Sequence, residues 1–259
     1  RPRSFPSPPS GPFFPDAARS VKRIRGPIRA DDDVRRCFTR HGTIAKVRGP
    51  RGREKHVRTS ELTREIDESP AGPHIAALFD LDRTLIAGFS ALTFVVDGFR
   101  SGRLGASDLG ELLFAATSFQ LGTVGFSGFL SGTARTLRGF SEEEFAAVGE
   151  RIFNDELASE VYPEARAIVD AHRRKGHTIA IVSSATRYQV APIARELGIE
   201  HVLVSSLEVQ NGQLTGELVY PLCYGEGKAL FARGLADELG LDLSQSWFYT
   251  DSEEDLPLL

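Results

Sequence analysis

Four groups of polar residues have the types and spacing that chemistry on a phosphoryl group needs. They are Asp80-Leu81-Asp82-Arg83-Thr84, Ser183-Ser184, Lys228 and Asp251-Ser252-Glu253-Glu254-Asp255. Asp80 directly follows the apolar run Ile75-Ala76-Ala77-Leu78-Phe79, where an ionised carboxylate gains nothing from packing. Such a carboxylate can attack phosphorus and form an acyl phosphate, splitting one hard displacement into two easier ones. Alone, Asp80 would read as a helix N-cap. Asp82 changes that reading, because a second carboxylate two residues on can protonate a leaving oxygen and then activate water. Two neighbouring carboxylates drive their titrations apart, so one can stay protonated and act as the acid.

The remaining groups fit the same chemistry. Ser183 and Ser184 offer hydroxyls and amides at a strand-to-helix turn, a natural phosphate seat. Lys228 falls in the first turn of an expected helix, where a cation opposes the helix dipole unless an anion lies nearby. Asp251 follows an apolar strand and Asp255 lies one turn later. Hard oxygen ligands beside a phosphate indicate magnesium, which keeps few protein carboxylates and several waters. Thr84 reads equally as a helix cap or a phosphate-facing hydroxyl, and Glu253 and Glu254 as first-turn helix acids. Gly225-Glu226-Gly227-Lys228 is not a nucleotide phosphate loop: the earlier glycine is missing and Ala229 stands where Ser or Thr is required. No Ser-His-Asp arrangement and no His pair at zinc spacing is visible.

The elements that must position these groups follow from periodicity. Ile75–Phe79 reads as a buried strand, and Thr84 to about Tyr162 as helical throughout. Ser141 with Glu144 forms a capping box. After Pro163 strands and helices alternate. Helices are expected over 163–175, 187–197 and 227–239, closed by Gly176, Gly198 and Gly240, with strands over 177–182, 201–204 and 247–250. Asn211-Gly212 between 206–209 and 214–219 marks a hairpin. Apolar strands separated by amphipathic helices predict an α/β fold, a Rossmann-like parallel sheet with helices on both faces. The helical block over 86–160 reads as a cap inserted after the first strand, with 61–85 and 161–259 forming the core. In such a sheet ligands bind beyond the carboxyl ends of the strands, where the polar groups fall.

Composition bounds the rest. Hydrophobic residues make up 41% and charged residues 25% of 259, as in a soluble globular chain. Residues 1–70 hold 17 Lys and Arg against 9 Asp and Glu, and the remainder 14 against 26. The Pro-, Gly- and Ser-rich basic segment 1–60 therefore reads as a disordered leader. Its Lys22-Arg23-Ile24-Arg25 cluster lacks aromatic interleaving, so nucleic acid is not an expected partner. Cys37 and Cys223 match no zinc or redox spacing and read as free thiols suited to the cytoplasm. Leu112 to Ala134 is uncharged and 23 residues long, but Gly122, Gly125, Gly128 and Gly132 interrupt it. Two packed helices joined by a loop fit it better than a membrane span, with contact at a membrane surface left open. The sequence has no Met and stops at Leu256-Pro257-Leu258-Leu259, so it reads as an excerpt truncated at its C-terminus.

Phe79-Asp80-Leu81-Asp82-Arg83-Thr84-Leu85, Ile181-Val182-Ser183-Ser184-Ala185, Gly227-Lys228 and Tyr249-Thr250-Asp251-Ser252-Glu253-Glu254-Asp255 resemble, in order and spacing, the four motifs of the haloacid dehalogenase superfamily. They are most similar to its phosphoserine-phosphatase-like branch, and the resemblance covers about residues 60–259. It implies Asp80 as nucleophile and Asp82 as general acid and base, with its main-chain oxygen on magnesium. Ser183 and Lys228 would hold the phosphoryl group, Asp251 the metal, and Asp255 the metal or Lys228. Asp82 points to phosphate esters, because the dehalogenases of the superfamily lack that acid. Phosphoserine phosphatases carry a Glu nine residues after the nucleophile to grip the substrate amine; here that residue is Phe89. From Glu61 onward the chain also resembles the amino-terminal half of actinobacterial proteins that join such a domain to a lysophosphatidic acid acyltransferase. The resemblance thus implies a small or lipid-like phosphate ester and a fused or downstream acyltransferase partner. Alternatives are a phosphoserine phosphatase and a catalytically idle regulatory domain. Family members continue past the fourth motif, so magnesium affinity is expected to rise when downstream residues are added.

Overall fold

The computed structural model describes residues 46–48, 59–120 and 125–258. The leader expected over 1–60 thus lies largely outside the described residues, as does Cys37. One part of it is corrected: Lys46–Arg48 forms a strand, β1. Three residues carry too little pattern to be read as a strand from sequence.

Strand β2 (Ala76–Phe79) lies in a six-stranded sheet with β3 (Thr178–Thr186), β4 (His201–Gln210), β5 (Gln213–Val219) and β6 (Trp247–Thr250), in the order β1-β6-β2-β3-β4-β5. Strands β6, β2, β3 and β4 are parallel, and β1 and β5 close the edges antiparallel. The expected α/β sheet is therefore present. The segments 201–204 and 206–209, read as separate strands, form one continuous β4 that turns at Asn211-Gly212 into β5.

Alternation along the strands divides the core. Ala77, Phe79 and Ile181 face one way, against α1 (Thr59–Glu68), α6 (Pro163–Arg174) and α7 (Arg187–Glu196). Ala76, Leu78, Ala180 and Val182 face the other way, against α8 (Glu226–Leu239). Between β2 and α6 the chain inserts four helices: α2 (Ser90–Arg100), α3 (Ala106–Gln120), α4 (Phe126–Arg135) and α5 (Glu142–Asp155). The hydroxyl of Ser141 caps α5 by accepting the Glu144 amide at 3.4 Å, as the capping box predicts. Helices α3 and α4 split the uncharged stretch as expected. An added Cβ on Gly132 would stand 2.8 Å from that of Ala115, so the two helices meet closely there. Among the described residues no helix is long and apolar enough to cross a membrane.

The helical reading from Thr84 onward is also corrected, because the first cap helix begins at Ser90. The Leu81 carbonyl accepts the amides of Thr84, Leu85 and Ile86, and Arg83 sits at φ 59°. This knot of main-chain bonds holds a turn where apolar residues had suggested helix.

Beneath the sheet runs a buried polar chain. The Tyr249 hydroxyl is hydrogen-bonded to His172 Nε2 at 2.6 Å, His172 and His177 share a bond between their Nδ1 atoms at 2.7 Å, and His177 Nε2 donates to the Pro70 carbonyl at 2.8 Å. With both imidazoles neutral, the Pro70 carbonyl sets the direction of the chain: His177 keeps its proton on Nε2, His172 donates from Nδ1 to His177, and Tyr249 donates to His172 Nε2. Burial, reinforced at His172 by its neighbour His177, holds both histidines below the ordinary value of 6.5. The stability they contribute is therefore present above about pH 6.5 and is lost as pH falls through the depressed folded values. Thermal unfolding between about pH 7.5 and about pH 5.5 is expected to show His172→Gln losing less stability with acid than the parent. Equal slopes in the two proteins would contradict this assignment.

Candidate active site

Register brings the sequence candidates together. Phe79 pairs with both Ile181 and Tyr249, so the residues just beyond them emerge at one edge of the sheet. The Asp80 amide donates to the Tyr249 carbonyl at 2.9 Å, which fixes Asp80 at the end of β2. Asp80, Asp82, Ser183, Ser184, Lys228, Asp251 and Asp255 all line one cavity, and Thr84 does not. Thr84 is buried in the turn with a hydroxyl that has no hydrogen-bond partner, and no helix begins there for it to cap.

Lys228 is the electrostatic centre. Its Nζ donates to Asp80 Oδ1 at 2.8 Å and to Asp255 Oδ2 at 2.7 Å, and all three side chains are buried. Burial works against the ammonium charge, but the carboxylates of Asp80 and Asp255 outweigh it and hold Lys228 above the ordinary lysine range. The conflict between a cation and a helix start is thus resolved by two anions. Thr250 also donates its hydroxyl to Asp255 Oδ2, at 2.5 Å. Asp255, offered by the sequence as either a metal ligand or a support for Lys228, makes a buried ion pair with Lys228.

Helix α8 can bring Lys228 there because Gly227 precedes it. An added Cβ on Gly227 would fall 1.8 Å from the Leu222 carbonyl oxygen. Gly227→Ala is expected to push the helix start away, lowering stability by about 1–3 kcal/mol and turnover at least about tenfold. Thermal unfolding and steady-state rates check this, and an unchanged rate would contradict it.

Asp82 stands apart from the other carboxylates. Its Oδ1 accepts the Ser90 amide at 2.8 Å. Burial, only partly offset by that bond and helped by repulsion from Asp80 and Asp251, pushes its carboxyl up to about 6. A carboxyl poised there can hold a proton near neutral pH and pass it on. Burial also raises Asp251, against the attraction of Arg83, whose Nε lies 3.3 Å from Asp251 Oδ2. Asp80, Asp82 and Asp251 therefore form a mutually repelling, partly desolvated group that a cation would relieve. Among the described residues no three side chains form a ready-made metal cage. Magnesium does not require one, since it completes its shell with water and substrate oxygens.

Several site residues were missed. Ser90 joins the cap to Asp82 through its amide and accepts a bond from Gln189 Nε2 at 3.1 Å. Gln189 Oε1 in turn accepts both the amide and the hydroxyl of Thr186, each at 2.8 Å. The Thr186-x-x-Gln189 spacing of a capping box was the available signal. Arg83 and Thr250 stood inside the quoted motifs without a role, and nothing in the sequence marked Ser90. Ser183 is buried, and its hydroxyl accepts the Ala185 amide at 3.3 Å. Cys223 is buried behind the site with its thiol pushed up to about 12, first by burial, so it is a free cysteine held as the neutral thiol.

The model of the family described as haloacid dehalogenase-like hydrolase matches residues 77–259. The chain belongs to that family. Among curated relatives, a probable phosphatase of Mycobacterium tuberculosis is 32% identical over 187 residues, covering 71% of this chain and 65% of that protein. A phosphoserine phosphatase of the same organism is 32% identical over 188 residues, covering 71% and 61%. The chain thus spans somewhat under two thirds of the length of these relatives. Among solved structures, a Bordetella pertussis protein of unknown function superposes with a TM-score of 0.66 at 27% identity, covering 72% of this chain and 86% of that one.

Proposed function

We propose that this haloacid dehalogenase-like hydrolase is a magnesium-dependent phosphate-monoester hydrolase that works through an aspartyl-phosphate intermediate on a small or lipid-like phosphate ester. The observation that carries the reading is that Asp80, held by Lys228 at 2.8 Å, and Asp82 line one cavity at the sheet edge. Burial pushes the Asp82 carboxyl up to about 6, which suits it to proton transfer. The phosphatase names of the relatives support it.

In this reading an Asp80 carboxylate oxygen attacks phosphorus while the ester oxygen leaves and takes the Asp82 proton. Water then gives a proton to Asp82 and attacks the phosphorus of the phosphoaspartate. The bond to Asp80 breaks, and inorganic phosphate departs. Ser183 and the Lys228 ammonium hold the phosphoryl oxygens, with Ser184 beside them, and Asp255 keeps Lys228 in place. Asp80, the main-chain carbonyl of Asp82 and Asp251 would hold a magnesium ion, whose chemistry there is neutralisation of phosphoryl charge. Phe89 offers no carboxylate to a substrate amine, which argues against phosphoserine. A lipid-phosphate substrate would go with an acyltransferase partner and contact with a membrane surface in a cytoplasmic setting, and nucleic acid is not expected.

A phosphate-release screen of phosphoserine, glycerol phosphate, lysophosphatidic acid and an aryl phosphate, with and without magnesium, tests the reading. Release that requires magnesium is expected. No release from a folded protein that binds magnesium would favour an idle regulatory domain instead.

A further inference from the structure

The cap is hollow where a helical bundle would be filled. Over the catalytic edge lies a cavity of about 750 Å³, with Asp80, Asp82, Ser183 and Lys228 at one end. The cap helices line its remainder with apolar side chains, among them Leu92 and Val95 from α2, Leu112 and Ala116 from α3, and Phe129 and Leu130 from α4. These would close on one another in a self-sufficient bundle, since protein interiors pack to crystal density. Instead five of the six stay half-buried, and Leu92 is 61% exposed. Within the described part of α3 only Ala115 and Ser118 are buried. Ala115 is the residue that Gly132 meets, so the contact between α3 and α4 is made there and their larger side chains are left to line the cavity.

Charge is as unevenly spread as polarity. The acidic lining residues are Asp80, Asp82, Asp251, Glu254 and Asp255, all at the catalytic end. Among the described residues the cap contributes no carboxylate to the lining, and its one charged lining residue is Arg103, which lies 3.7 Å from Asp97. A ligand amine placed there would have no counter-charge. An aliphatic chain would instead gain the full benefit of leaving water.

We propose that this cavity is a tail site: the substrate is a phosphate monoester carrying one unbranched aliphatic chain, its phosphoryl group at Asp80 and its chain among α2, α3 and α4. The proposal rests on the hydrolase reading and narrows it. The volume lies within the range of sites that enclose most of a ligand of this size.

Straight-chain alkyl phosphates from butyl to hexadecyl, kept below their micelle concentrations, test it beside p-nitrophenyl phosphate. The rate constant kcat/KM is expected to rise about three- to fourfold for each added methylene until the cavity is full, then level off. Ala116→Trp and Leu130→Trp should bring the plateau to a shorter chain and lower the dodecyl-to-butyl ratio at least about tenfold. Calorimetry with dodecylphosphonate and methylphosphonate, neither of which is hydrolysed, should show tight binding of the longer one alone.

A flat chain-length profile with steady turnover of p-nitrophenyl phosphate would overturn the tail site and leave the hydrolase reading standing. Faster turnover of a two-chain phosphatidate in vesicles than of dodecyl phosphate would overturn the single-chain assignment. Absence of all turnover in the folded protein would remove both readings.

Discussion

Asp80→Asn is expected to lower kcat by at least about a thousandfold while leaving a folded protein. The amide keeps the volume and shape of the carboxylate, so the end of β2 is undisturbed. It is too poor a nucleophile to displace an alkoxide from phosphorus. Lys228 loses one of its two counter-charges but keeps Asp255, so stability falls far less than activity. Steady-state rates beside thermal unfolding separate the two effects. A variant retaining a tenth of parental turnover would show, given the precision of such rates, that another group attacks phosphorus.

Lys228→Met is expected to have the largest effect on stability. The side chain keeps its length and apolar stem but loses the charge that Asp80 and Asp255 share. Asp80 is 7% exposed and Asp255 1%, so neither carboxylate can turn to water for compensation. Breaking a buried pair from one side costs about 3–5 kcal/mol, here roughly a 10 °C fall in the unfolding midpoint. The sign of the pH dependence is distinctive. Burial already raises Asp255 from 3.8, and Lys228 opposes that rise. Without Lys228 the folded value moves further up, and a group raised on folding contributes more stability as pH falls. The deficit of the variant relative to the parent should therefore shrink between about pH 7.5 and about pH 5. A deficit that stays constant across that range would contradict the buried-pair account.

What sequence made legible follows from which signals are local. Asp80 and Asp251 could be found because short apolar strands end abruptly in carboxylates, and parallel topology carries such ends to one edge. Lys228 could be found because a cation at a helix start demands an anion, although the sequence pointed to a phosphate and Asp80 and Asp255 meet it in the fold. The turn at 81–86 was hidden because Leu81, Leu85 and Ile86 are as apolar as a helix face, and only main-chain bonds decide their conformation. The Ser90 amide was hidden because a main-chain donor leaves no trace in residue type. The hollow cap was hidden for a different reason: Leu112, Ala116, Phe129 and Leu130 give one periodic pattern whether they fill a core or line a cavity.

The central claim is that Asp80 becomes phosphorylated during turnover, and its most direct test is to catch that species. The enzyme would be mixed with excess p-nitrophenyl phosphate and magnesium, quenched in acid within the first turnovers, digested and weighed peptide by peptide. Asp82→Asn, which lacks the base for the second step, should accumulate the intermediate. The account predicts the added mass of one phosphoryl group on the peptide containing Asp80, located to Asp80 by fragmentation and absent from Asp80→Asn. Turnover with no phosphorylated peptide in the parent or in Asp82→Asn, or with the group on another residue, would contradict it.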